Sequence, residues 1–147
     1  MMARRSRGFL TDGRGAAAVE FALVIIPMLL LIVGVIEFGR LLWTRQSMQS
    51  LAMGAARCMA LPQTQCSTAG VYSSDKTVTF VLNGASKLGV PLVGSNVTPT
   101  AATTCGGVSG FSTVRINFTF NTVAPRLITA LTSGSALTVT ACFPNQA

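Results

Sequence analysis

Gly15-Ala-Ala-Ala-Val-Glu20-Phe21-Ala-Leu-Val-Ile-Ile-Pro27-Met-Leu-Leu-Leu-Ile-Val-Gly-Val-Ile36 is the stretch on which the fold turns. Its uncharged core, Phe21 to Ile36, holds sixteen residues. The wider apolar tract runs from Ala16 to Trp43 and is interrupted only by Glu20, Glu37 and Arg40. As a helix rising about 1.5 Å per residue this tract is about 40 Å long. A bilayer core of about 30 Å is covered, with Trp43 at the outer interface and Arg45 just beyond it in water. A cleaved secretory signal is the competing reading, but such signals carry a shorter apolar region of about 7 to 15 residues with a small-residue cut after it. Here the run continues past Gly34 without a clear cut site.

On the amino-terminal side, Arg4, Arg5, Arg7 and Arg14 precede the apolar tract and are balanced only by Asp12. Basic flanks stay in the cytoplasm, which predicts an inside amino terminus and an outside remainder. A nucleic-acid arm has the same charge, yet its placement against an apolar tract favours the membrane. The whole chain of 147 residues carries eleven Lys and Arg against four Asp and Glu, for a net charge of +7. That length suits one membrane helix and one small globular part.

On the carboxyl-terminal side, helical spacing continues without a turn signal through Arg45 and Gln49 to Ala60, with Met48, Ala52, Ala55 and Met59 as a mild apolar stripe. One helix of about 45 residues ending before Pro62 is expected. Pro27 removes one backbone donor and is expected to bend it. The expected organisation is a basic leader over 1–15, the transmembrane helix with its exported extension over 16–60, and a small β-rich exported domain over 61–147.

In that last part, Thr77 to Leu82 reads as a strand. Val114, Ile116, Phe118 and Phe120 alternate with polar residues, as do Leu137, Val139, Ala141 and Phe143, the pattern of a sheet buried on one face. A short helix is expected between them, with Pro125 in its first turn, Leu127, Ile128 and Leu131 on one face, and Gly134 as its stop. Gly84 to Gly110 is turn-rich, with Leu88 to Val93 a weak strand candidate. So few strands bury little alone, so the fold class is α+β: the long helix packs its outer half on a small antiparallel sheet.

Cys58, Cys66, Cys105 and Cys142 all follow the span, which places them in an oxidising compartment where an even number points to disulfides. Three pairings exist on paper. Cys58 with Cys66, tying the helix end to the first loop, and Cys105 with Cys142, holding the last strand to the middle loop, is the favoured set. The spacings lack the short knuckles of zinc sites and the chain has no histidine, so no metal or other cofactor is expected. Beyond the span, Asp75 is the only side-chain carboxylate besides Glu37 at its edge, and no base is present to activate a Ser or Thr, so no enzyme is expected. Gly106-Gly107 opens no phosphate-cradling helix. Neither a nucleic acid nor a small-molecule substrate is expected as a partner. Asn96-Val-Thr98 and Asn117-Phe-Thr119 match the glycosylation pattern, a cheap match in so Thr-rich a segment.

Two acids lie at the ends of the apolar tract, about 25 Å apart along the helix. Glu37 can pair with Arg40 three residues on, either as a mere end marker of the span or as part of a specific helix contact. Glu20 asks for more, because a lone carboxylate in a bilayer is costly. A cut after Gly15 would give Ala16 a free ammonium within reach of Glu20 of the same or a neighbouring subunit, and would discard the four leader arginines. An uncut anchor with Glu20 among the headgroups is the alternative.

Arg14-Gly15-Ala-Ala-Ala-Val-Glu20-Phe21, then Pro27, then Glu37-Phe38-Gly39-Arg40-Leu41, then the stretch ending Ala55-Ala56-Arg57, resembles the TadE-like family, minor pilins or pseudopilins of bacterial tight-adherence (Flp-type) pili. The resemblance covers about residues 14 to 60. It implies a pilin-like fold, cleavage by a prepilin peptidase between Gly15 and Ala16, and Glu20-Phe21 as the acid and aromatic pair that registers a subunit on its neighbour. Pro27, Glu37 and Arg40 are the further positions expected at helix contacts. Implied partners are the peptidase, other pilin-like subunits and an inner-membrane assembly platform, with the protein in the bacterial inner membrane and its carboxyl-terminal domain in the periplasm. The size of that domain points to a minor subunit, with a role in pilus assembly and through it in adhesion. A single-pass envelope protein with an exported interaction domain and no pilus role is the alternative.

Overall fold

From Arg14 to Ala60 the chain is one helix, α1, of 47 residues, and the rest of the structure is built along its upper half. The computed structural model describes residues 14–122, 125–126 and 135–146. Arg4, Arg5 and Arg7 of the leader lie outside these, as does the side chain of Arg14, whose backbone opens the helix. After α1 come two short paired strands, β1 (Ser67–Thr68) and β2 (Val71–Tyr72), then α2 (Ser74–Lys87), a 3-10 turn at Gly94–Asn96, and the strands β3 (Val97–Cys105), β4 (Val108–Thr119) and β5 (Ala136–Pro144). The last three form an antiparallel sheet in the order β3-β4-β5.

α1 packs on this sheet along a stripe. Glu37, Leu41, Met48, Ala52, Ala55 and Met59 are buried and Thr44 is half-buried. These positions recur every three or four residues, so they stay on one side of a helix with 3.6 residues per turn. Opposite them stand Val114 and Ile116 of β4 and Val139 and Ala141 of β5, all buried. Each large apolar side chain removed from water here contributes about 1.5 to 3 kcal/mol. The alanines in the stripe matter for shape, since a side chain without γ atoms lets the sheet come close.

α2 lies beside α1. The strand reading of Thr77 to Leu82 is overturned, because this stretch is the middle of a helix. Local β preference is outweighed by both ends and by one buried face. Ser73 caps the amino end, with its Oγ 3.5 Å from the Lys76 N–H, and Asp75 complements the first turn as Lys87 does the last. At the other end the Gly89 N–H donates to Ser86 and the Val90 N–H to Ala85, with Gly89 at φ +71, which is a Schellman closure. Thr77, Val81 and Ala85, four residues apart, form its buried face, and Gly84 lies where a methyl group would run into the Leu51 side chain of α1. The weak strand candidate Leu88 to Val93 is likewise overturned: it is this closure and the loop after it.

β3 falls inside the stretch that reads as turns. Its Pro99 is tolerated because β3 is an edge strand, and Ala102, at φ +55, sits in an irregularity of the register between Thr100 and Thr103. Gly106 and Gly107, both at positive φ, make the two-residue turn into β4. Of the short helix expected between β4 and β5, Pro125 and Arg126 are helical, and Leu127, Ile128, Leu131 and Gly134 lie outside the described residues.

The two disulfides sit at the end of the molecule away from Arg14. Cys58–Cys66 closes a short loop at the top of α1. Cys105–Cys142 joins the end of β3 to β5, next to Thr113 of the strand between them.

Candidate functional site

Among the described residues, no side chain of α1 from Gly15 to Ile36 is buried. The helix is long and apolar enough to cross a membrane, and its most apolar window is wholly unburied. Val19, Phe21, Leu23, Val24, Leu30, Leu31 and Ile36 are all exposed. In water such a surface is far beyond what a soluble protein displays. In lipid it is the expected surface of a single anchor, whose backbone groups are satisfied within the helix. The bare stretch from Gly15 to Ile36 spans about 33 Å at 1.5 Å per residue, which matches a hydrocarbon core of about 30 Å.

Gly15, Ala16, Glu20 and Phe21 lie together in the first turns of this bare helix and are exposed. A Cβ at Gly15 would meet nothing within 4 Å. The Glu20 carboxylate has no ion pair or hydrogen bond among the described residues. Pro27 sits inside the helix, which continues through it.

Glu37 is different. Only 3% exposed, it stands where the bare helix ends and the packed helix begins. Arg40 Nη1 donates to its Oε1 at 2.6 Å, and Thr122 Oγ1, from beyond the end of β4, donates to its Oε2 at 2.7 Å. The Arg40 guanidinium also lies 5.6 Å from the centre of the Phe120 ring, a cation–π distance. Phe120 is itself buried against Leu41, with Phe118 and Leu137 alongside. Glu37 therefore does more than mark the end of the span. It fastens the foot of the sheet to the helix, and both carboxylate oxygens are used within the chain.

Thr122 and Phe120 are the members that sequence reasoning misses. Thr122 lies 85 positions from Glu37, and nothing in the spacing of either residue links them. Phe120 is visible as the last apolar position of the β4 alternation, though not as a neighbour of Arg40. Among the described residues there is no group of three or more His, Cys, Asp or Glu that could hold a metal ion.

A bare apolar helix, a packed upper half and a small disulfide-bonded α+β body form an architecture consistent with a single-pass membrane anchor that carries a folded domain. Over residues 15–57 the chain matches the family model described as TadE-like protein. The match ends one residue before Cys58, so α2, the sheet and both disulfides lie outside it. No curated protein and no solved structure matches the chain.

Proposed function

We infer that the chain is a minor pilin or pseudopilin that takes part in assembling a tight-adherence pilus. It is inserted with its amino terminus inside and its disulfide-bonded domain in the periplasm, and is cut between Gly15 and Ala16. The observation that carries this reading is the coincidence of the TadE-like segment with a helix whose lower half the chain's own domain leaves bare. A helix needed only as a tether has no use for an acid five residues after a cleavable glycine. Cleavage supplies one: the new ammonium of Ala16 can neutralise Glu20 of an adjacent subunit, where an unpaired carboxylate deep in the bilayer costs about 2.5 to 3.5 kcal/mol and less near its edge. The same cut removes Arg4, Arg5, Arg7 and Arg14, whose charges hold the helix at the inner leaflet.

Intact mass of the membrane-extracted protein tests this, compared between cells with and without the prepilin peptidase. The expected product begins at Ala16 in the first and retains residues 1–15 in the second, and a Gly15 substitution reproduces the uncut mass. Full-length protein in cells that assemble the pilus would overturn the reading and leave a plain single-pass envelope protein.

A further inference from the structure

At the level where α1 leaves its bare stretch, the loop after α2 comes down beside it. Gly39, Arg40, Trp43, Thr44 and Gly89 line one shallow recess, which places the Schellman turn next to the outer side of α1. Gly39 and Trp43 stand three and seven residues above Ile36, about 5 and about 10 Å further along the helix. A headgroup layer is about 5 to 8 Å thick on each side of the hydrocarbon core, so the turn lies within or just above it.

What the foot exposes fits that layer. Trp43 is 63% exposed, Val93 59% and Leu88 37%, and Pro91 between them is exposed as well. A Trp beside small apolar loop residues is the composition of an interfacial contact. Among the described residues its exposed charge has one sign, the Glu37 carboxylate being buried. Lys87 ends α2 with no ion pair among the described residues, and Arg40 is 55% exposed while satisfying Glu37. The one acid of α2, Asp75, opens that helix twelve residues before Lys87, about 18 Å away.

We propose that the loop Leu88–Val93, with Trp43 and Lys87, is a second membrane-contacting surface that seats on anionic phospholipid headgroups of the leaflet from which α1 emerges. The proposal rests on α1 spanning the bilayer. Seating at two points fixes the tilt and rotation of the domain, which a single helix leaves free.

Full-length protein is reconstituted at low density into vesicles of phosphatidylcholine with phosphatidylglycerol. Trp43 is the only tryptophan, so Trp43→Phe gives a silent background for single reporters. In that background Leu30→Trp reports the span and Val93→Trp reports the foot, each read by quenching from lipids brominated near the headgroup or deep in the chain. The expected result is deep quenching for Leu30→Trp, and shallow quenching with a blue shift for Val93→Trp. Lys87→Gln is expected to shift the seated-to-free ratio by about fivefold, one cation's worth of attraction to an anionic surface, with the same direction of loss in phosphatidylcholine alone. If Leu30→Trp is quenched and Val93→Trp is not, the foot is free of lipid and the proposal fails while the span stands. If neither is quenched, the span itself fails. A blue-shifted but unquenched Val93→Trp means a protein cover and overturns the proposal, and quenching indifferent to lipid charge and to Lys87 overturns its anionic specificity.

Discussion

At the scale of single residues, Glu37 shows how position changes the meaning of a charge. Its spacing from Arg40 is legible in the sequence, and the pair is present. The burial that makes it consequential is not legible, because it depends on Thr122 arriving from the far end of the sheet. The two contacts differ in worth. Arg40 is more than half exposed, so water screens its attraction and the pair contributes no more than about 1 kcal/mol. The Thr122 bond, made to a buried charged oxygen, is worth about 1.5 to 3 kcal/mol. A double-mutant cycle of Glu37→Gln with Thr122→Val, read by urea unfolding in detergent, is expected to show the larger coupling, and the cycle with Arg40→Gln the smaller. Equal couplings would mean the carboxylate is wetter than its burial indicates.

At the scale of elements, what could be read from the chain was what repeats. The α1 stripe at Met48, Ala52, Ala55 and Met59 and the alternations of β4 and β5 declare a period and a buried face. α2 and β3 escaped for opposite reasons. α2 is written in β-branched residues and is made helical by its caps and by α1. β3 contains Pro99 and an irregular register, and is a strand because β4 lends it a partner. Gly89→Ala is expected to destabilise by about 1 kcal/mol through the left-handed backbone alone, since no atom lies near its missing methyl. Ala52→Leu forces bulk into the helix–sheet contact and is expected to cost about 1 to 3 kcal/mol. Thermal unfolding of each variant checks both. The disulfides differ through the loops they close. With separations of 8 and 37 residues, chain entropy gives about 2.5 kcal/mol for Cys58–Cys66 and about 4 kcal/mol for Cys105–Cys142. Replacing each pair by serine is expected to reproduce that order in unfolding free energy.

At the scale of the whole molecule, the core and the anchor share one helix but no residues. Among the described residues, every buried apolar residue of α1 lies at or above Leu41. Removing residues 1–34 is therefore expected to leave a water-soluble chain with both disulfides and an unfolding free energy close to that of the parent. Sedimentation and unfolding in buffer without detergent check this, and insolubility would show that the lower helix covers part of the domain. Cleavage after Gly15 rests only on the likeness to a family, because exposure of Gly15 and Glu20 is equally what a plain anchor shows.

α1 being continuous from Arg14 to Ala60 has a mechanical corollary. Tension applied at the lower end of α1 would run along the helix that packs on β4 and β5. To pull the helix free, the load must slide the whole seam of Leu41 to Met59 across the sheet at once, where a perpendicular tug would peel it one contact at a time. Fastened to the foot of the sheet through Glu37 and Thr122 and packed on it as far up as Met59, the helix meets such a load in shear.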